Sequence, residues 1–393
     1  MRKTLAGPEG KSTDVARLSR EVLSYEITAS REIDDRRFIA SLRPCALKVD
    51  GPLEKRSKTR DAIGGEAALL LYEIGEYDGP APKRFQSSPE GAFRALAARD
   101  TSSDHAQRVA YFVDDDQRVR QAALEAAVEA KDESDLVALL EVSRLDPSPF
   151  IRSRALYALG QLGGARVHHA LVDRLVTPSA DLQLAVLDAL AQPGVAEVDG
   201  YAALLRTSES KQGSLALHAA YLLSQLAMRP PATPDQRSLA ATGTARLLAF
   251  AQHGSEEERR LALRLLPATA AETEAALLAA SKDPNPEVQV IAWARLLGRE
   301  KWRPPAEAAL LTFARGSDRV GYQARSALAA GGSLEVLPYF TQQAKAPQVE
   351  LRLLAGQAFI RLERDQELAP LLADPSSRVR RTLACGRIAA ERY

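Results

Sequence analysis

Asp146-Pro147-Ser148-Pro149-Phe150-Ile151-Arg152-Ser153-Arg154-Ala155-Leu156-Tyr157-Ala158-Leu159 is the stretch on which the reading of this chain turns. Asp, Pro and Ser open it, and a run from Phe150 to Leu162 follows in which Ile151, Ala155 and Leu159 stand four apart. Residues four apart share one face of an α-helix, so the run predicts a helix with a buried apolar stripe. Proline at the first helical position gives up no intrahelical hydrogen bond, and its φ already suits the helix. The same opening recurs as Asp283-Pro284-Asn285-Pro286 before Glu287 to Leu297, and as Asp374-Pro375-Ser376-Ser377 before Arg378 to Ile388. Asp114-Asp115-Asp116-Gln117 stands in the same relation to Arg118 to Glu129.

The first apolar residue of each run serves as an anchor: Val119, Ile151, Leu182 and Leu215, then Val288, Val320, Leu351 and Val379. Their spacings are 32, 31 and 33, then 73, then 32, 31 and 28. The long gap accommodates one more unit anchored at Glu258, together with inserted residues around 229–236, a stretch holding Pro230, Pro231 and Pro234 that reads as an exposed connection. Nine units result. Four places after the anchors stand Ala123, Ala155, Val186, Ala219, Ala262, Ala292, Ala324, Ala355 and Leu383, mostly small; eight places after them the residues are mostly large, from Leu159 to Phe359. Small residues in the middle of a buried face let a neighbouring helix approach closely, while large ones fill the flanks. Three places before the anchors come Asp116, Ser148, Ser179, Ser255, Asn285, Ser317 and Ser376, side chains suited to capping a first helical turn. Short breaks such as Gly163-Gly164 or Gly331-Gly332 then lead into second apolar runs, Val167 to Leu175 and Leu334 to Phe340. Each unit is a helical hairpin.

A period of about 30 residues, an Asp-Pro-Ser opening and a Val-Arg-x-x-Ala helix resemble HEAT repeats, especially the short bacterial class named after phycobilin-lyase subunits. Val119-Arg120-Gln121-Ala122-Ala123-Leu124 and Val379-Arg380-Arg381-Thr382-Leu383-Ala384 carry the resemblance well, and the units at Leu182, Leu215 and Glu258 carry it less well. It implies an all-α fold, a right-handed α-solenoid of about nine hairpins over residues 104–393 behind a helical N-terminal cap or degenerate repeats in 1–103. The apolar end of a repeat stack needs such a cap. Helical-looking runs at Asp14 to Leu23, Ile33 to Leu42 and Gly65 to Ile74 fall in that N-terminal part. Arg120, Arg152, Arg259, Arg352 and Arg380, one place after their anchors, resemble the family's structural arginines and are assigned to hydrogen bonds between repeats.

Composition agrees with an all-helical fold, since only 5% of residues are aromatic and Ala, Leu, Arg and Glu dominate. The formal net charge of +1 gives no global electrostatic pull toward nucleic acid or anionic membrane. No window approaches the apolar length of a membrane span. The start, MRKTLAGPEG, places Gly7, Pro8 and Glu9 where a signal peptide needs an apolar stretch. The chain as given is therefore expected in the cytoplasm, or outside it if a leader was removed.

Nothing assembles into a catalytic constellation, and neither cofactor nor metal site is expected. Cys45 and Cys385 lie too far apart in sequence for a ligand spacing. His168 and His169 are adjacent and point about 100° apart on a helix, which suits separate roles. Metal-dependent HEAT hydroxylases carry repeated His-Glu pairs, and no such dipeptide occurs here. Lys55, Arg56, Lys58 and Arg60 form the densest basic run, either a solvated loop or a contact for an acidic partner. Trp293 reads as core; Trp302, beside Pro304-Pro305, reads as a loop residue.

The expected function is thus a non-catalytic scaffold that binds a protein. Resemblance to HEAT proteins puts the anchor helices on a concave face, where positions three and six after the anchors carry Arg154, Tyr157, Asp188, His218, Tyr221, Arg264, Gln323 and Gln357. These side chains vary from unit to unit while the packing positions repeat. Nucleic-acid binding or repair, as in glycosylases that resemble HEAT solenoids, is the alternative; the mixture of Asp188 with Arg264 does not favour it. Pigment-lyase assistance rests on the subclass name alone.

Overall fold

The computed structural model describes residue 81 and residues 83–175, 180–210, 213–228, 231–268 and 271–390. Among them there are helices and turns and no strand. The runs near residues 14–23, 33–42 and 65–74, the basic run Lys55, Arg56, Lys58 and Arg60, Cys45 and Ser179 lie outside the described residues. The chain divides into two compact units, Met1–Gly200 and Tyr201–Tyr393.

In the first unit the helices are α1 (Gly91–Arg99), α2 (His105–Tyr111), α3 (Gln117–Ala130), α4 (Leu136–Leu145), α5 (Pro149–Leu162), α6 (Gly164–Arg174), α7 (Ala180–Leu190) and the single turn α8 (Pro193–Ala196). The opening helices α1, α3, α5 and α7 stack in that order, and the second helices α2, α4 and α6 each pack on the next opening helix. In the second unit come α9 (Ala202–Glu209), α10 (Ser214–Ser224), α11 (Pro234–His253), α12 (Glu256–Leu265), α13 (Ala271–Ala280), α14 (Pro286–Leu297), α15 (Arg303–Ala314), α16 (Arg319–Ala330), α17 (Leu337–Gln343), α18 (Val349–Arg361), α19 (Asp365–Leu372) and α20 (Ser377–Ala390). Here α10, α12, α14, α16, α18 and α20 form the stack of opening helices. One continuous apolar core runs through this unit from Ala216 to Leu383.

Every anchor heads a helix, and the residues four places on, from Ala123 to Leu383, are at most 1% exposed. That burial confirms the phase of the repeat. The helix starts differ in detail. Asp116, Ser255 and Asn285 accept first-turn N–H groups as expected. Ser148 makes no side-chain cap, and Asp318 rather than Ser317 caps α16. The aspartate of the Asp-Pro pair also closes the openings: Asp146, Asp283 and Asp374 each accept the N–H two residues on, at 2.8 Å, beside the Asn285 cap in one case and in place of a Ser148 cap in another. A carboxylate at that position closes the turn ahead of the helix, so the hydroxyl behind it is not required.

The insertion around 229–236 is shorter as a connection than its prolines suggest. Pro234 is the first residue of the twenty-residue α11, Thr233 and Gln236 form a reciprocal capping box, and only 231–233 of the described insertion stays non-helical. A proline at the first helical position starts a helix instead of breaking it. The same correction applies to Pro304 and Pro305, which lie in the first turn of α15. The pattern also begins earlier than residue 104, because α1 repeats it: Phe93 and Ala97 are buried at anchor and small positions, and Arg94 follows the anchor.

Candidate functional site

Arginines one place after the anchors tie one hairpin to the next. Arg120 donates through Nη1 to the carbonyls of Asp114 and Asp115, at 2.8 and 3.2 Å, in the loop that opens its own helix. Its Nε and Nη2 donate to the carboxylate of Asp146, which opens the next hairpin, at 2.7 and 3.2 Å. Arg259 with Asp283 and Arg352 with Asp374 repeat this arrangement, and Arg94 with Asp114 extends it to α1. Burial is the largest single influence on the Asp283 carboxyl and pushes it up, but the Arg259 hydrogen bond, the Asn285 N–H and the Arg259 charge together outweigh it and hold the group below its usual range. The Arg352 hydrogen bond lowers Asp374 likewise. These four pairs are rungs of a ladder that fixes the spacing of the opening helices. Among the described residues, Arg152 and Arg380 bond the carbonyls of their own openings.

A related cluster joins the second helices. Arg108, fully buried, donates to Thr101 and Ser102 carbonyls and to the carboxylates of Asp135 and Asp132 at 2.8 and 2.9 Å. His105 Nδ1 lies 2.6 Å from the other Asp135 oxygen. His105, Asp132 and Asp135 bring ligand-type atoms within 4.8 Å of one another, the grouping among the described residues most like a metal site. Arg108 already supplies the positive charge at its centre. Sequence reasoning missed it because the second helices lack the anchor pattern.

The variable positions on the opening helices fall into two sets. In the first unit Tyr157 and Asp188 are exposed, and the half-buried Arg154 guanidinium lies 5.2 Å from the Tyr157 ring centroid. Phe150, 49% exposed, sits four residues before Arg154 and on the same helical face. The sequence signal for it, an aromatic residue immediately before an anchor, was available. In the second unit Arg264 and Gln357 are exposed, while His218 and Tyr221 are half-buried with ring centroids 6.2 Å apart. Gln323 is half-buried, and its Oε1 has no hydrogen-bond partner among the described residues. Leu261, three places after the anchor of α12, is also exposed. The structure therefore brings together Arg154 with Tyr157 and His218 with Tyr221.

The remaining singled-out residues have structural settings. His168 is buried with Nε2 at 3.1 Å from Asp199, whereas His169 is exposed. Trp293 packs against the core of the second unit, as does Trp302, whose Nε1 donates to Glu274 at 2.9 Å. No described helix is long and apolar enough to cross a membrane.

Stacked hairpins joined by buried Arg–Asp rungs define a helical-repeat protein of the α-solenoid kind. Comparison with known families makes this specific: the family described as HEAT repeats matches residues 106–191, and that segment is made of HEAT repeats. The match concerns HEAT repeats in general and does not single out the phycobilin-lyase type. No curated protein matches the chain. Among solved structures, the YibA protein of E. coli is similar at 14% identity with a TM-score of 0.38, over 73% of this chain and 99% of that one. A structure of Kap95p with RanGDP is similar at 15% identity with a TM-score of 0.27, over 99% of this chain and 50% of that one. Likeness at this level says nothing of what this chain binds.

Proposed function

We propose that the protein is a non-catalytic scaffold that holds a protein partner against the variable outward faces of its opening helices. The observation that carries this reading is the contrast between repeating and non-repeating positions. The buried stripe recurs from hairpin to hairpin, while the places three and six after the anchors carry Arg154, His218 and Gln323, and Tyr157, Asp188, Tyr221, Arg264 and Gln357, a mixed set in which only tyrosine appears twice at one place. HEAT repeats generally mediate protein interactions, which supports the reading. Exposed aromatic and arginine side chains supply much of the energy of protein interfaces, and Tyr157 and Arg264 meet that description.

The test is binding of whatever protein co-purifies with the wild type from its native host. Tyr221→Ala combined with Arg264→Glu weakens it by about 2 kcal/mol or more and leaves helicity near wild type, with a lower melting temperature because Tyr221 packs against the core of the second unit. Lys55→Glu with Lys58→Glu examines the basic run separately. Loss of binding in that variant with none in the first refutes the helix-face reading. Tight, steeply salt-dependent binding of duplex DNA replaces it with the nucleic-acid alternative.

A further inference from the structure

Four rungs are complete, but the hairpin opened by α10 lacks both members of its own. Ala216 stands one place after the anchor Leu215, where an arginine stands in the complete rungs, and His253 stands five places before Glu258, where the aspartate would be. Arg246 reaches the same loop from α11. Its Nε and Nη2 donate to the Ser208 carbonyl at 3.0 and 2.9 Å, and Nη2 to the Ser210 carbonyl at 3.2 Å. Half of a rung is thereby rebuilt, with a guanidinium on loop carbonyls and, among the described residues, no carboxylate hydrogen-bonded to it.

A cavity of about 470 Å³ occupies the missing half, lined by Gly213, Arg246, Phe250, His253, Ser255 and Glu258 among others. His253 and Ser255 are exposed, so the space opens to solvent. Glu258 does not fill the carboxylate's place: its oxygens accept the Gly213 and Ser255 N–H groups, each at 2.7 Å. The Arg246 guanidinium lies 5.9 Å from the Phe250 ring centroid, and its Nη1 makes no hydrogen bond among the described residues. In all four complete rungs the guanidinium is matched by a carboxylate from the following loop, the charge-assisted pairing that arginine favours.

We propose that this cavity receives the carboxylate of an aspartate or glutamate side chain carried by a bound protein segment, completing the rung in trans with Arg246 and His253 as donors. The proposal rests on the scaffold reading only for the source of that side chain. It is tested without the natural partner, by titrating the full chain with the α-amide of N-acetyl-aspartate and following the backbone amides of Gly213, His253 and Gly254 by NMR. Saturable shifts with a dissociation constant on the order of 1 mM are expected, and the neutral N-acetyl-asparagine amide gives none. Arg246→Gln weakens the probe at least about tenfold, the loss of one charge-assisted hydrogen bond. His253→Asp supplies the carboxylate in cis, so it abolishes probe binding and raises the melting temperature by about 2–4 °C.

Absence of saturable shifts in the wild type overturns the proposal, as do equal shifts with the asparagine probe. So does undiminished binding in His253→Asp, which keeps the test decisive if Arg246→Gln fails to fold. Tyr221→Ala with Arg264→Glu leaves probe binding unchanged. A silent cavity beside a partner that still depends on those two residues refutes this inference alone, and the reverse pattern refutes the helix-face reading alone.

Discussion

Replacing Asp146 by alanine breaks the most enclosed of the helix-to-helix rungs. The Arg120 and Asp146 side chains are 9% and 3% exposed. The substitution removes two charge-assisted bonds, at 2.7 and 3.2 Å, and the acceptor of the Ser148 N–H at 2.8 Å. It leaves a guanidinium held only by the Asp114 and Asp115 carbonyls. Removing one partner from a buried ion pair costs about 3–5 kcal/mol, because the remaining charge stays desolvated without compensation. Arg120→Leu strands the opposite charge and costs a similar amount. In the double variant no unpaired charge remains, so the two losses do not add, and the cycle gives a coupling of about 1–3 kcal/mol. Urea unfolding followed by circular dichroism reads these values, with partial unfolding checked by a second probe because repeat arrays unfold in parts. A cost below about 1 kcal/mol for Asp146→Ala, or strict additivity in the cycle, refutes the claim that the rungs hold the hairpins in register.

Ala292, fully buried on α14, tolerates no larger side chain: Ala292→Leu lowers stability by about 1–3 kcal/mol in a thermal melt. Gly243→Ala adds a residue with better helix propensity in α11, yet the new Cβ would lie 2.5 Å from the Ala220 carbonyl oxygen and 2.6 Å from the Ser224 nitrogen of α10. It therefore destabilises, also by about 1–3 kcal/mol, where an exposed helix would gain up to about 1. Acid weakens the rungs: Arg352 holds Asp374 low, and Arg259 together with the Asn285 N–H holds Asp283 low against the upward push of burial. Carboxylates lowered on folding stabilise the protein above their unfolded value of about 3.9, and that stability is lost as pH falls through the folded value. Melting temperature should drop as pH falls from about 4, and less steeply in Asp283→Asn with Asp374→Asn.

The stacking of the opening helices was legible because small buried residues recur at fixed distances from the anchors, and Ala123, Ala262 and Ala355 are all fully buried. Arg120, Arg259 and Arg352 were legible as inter-repeat donors for the same reason. The rung at Arg94 was hidden by a spacing of 26 residues between Phe93 and Val119, shorter than the other units. Arg108 with Asp132 and Asp135 escaped because Arg108 lies on a short second helix and the two aspartates in the 3-10 turn ahead of α4, where no spacing repeats. Proline misled in one direction: Pro234 was read as part of an exposed connection and Trp302, beside Pro304-Pro305, as a loop residue, although Pro234 and Pro305 each lie in a first turn where no N–H is needed. On the variable face, helical periodicity indicated Tyr157, Arg264 and Gln357 as solvent-facing, and they are exposed. It did not show that Gln323 is half-covered, since that depends on the width of its neighbours, nor that Arg246 reaches from α11 into a rung whose own arginine is missing.

Site-specific photo-crosslinking tests the central claim most directly. A benzoyl-phenylalanine placed at Tyr157, Tyr221 or Gln357, on opening helices, should capture the co-purified protein in each case. The same group at Val137, Leu334 or Leu372, all exposed but on or beside second helices, should capture none. Crosslinks confined to Val137, Leu334 and Leu372 would contradict the account and move the binding surface to the second helices.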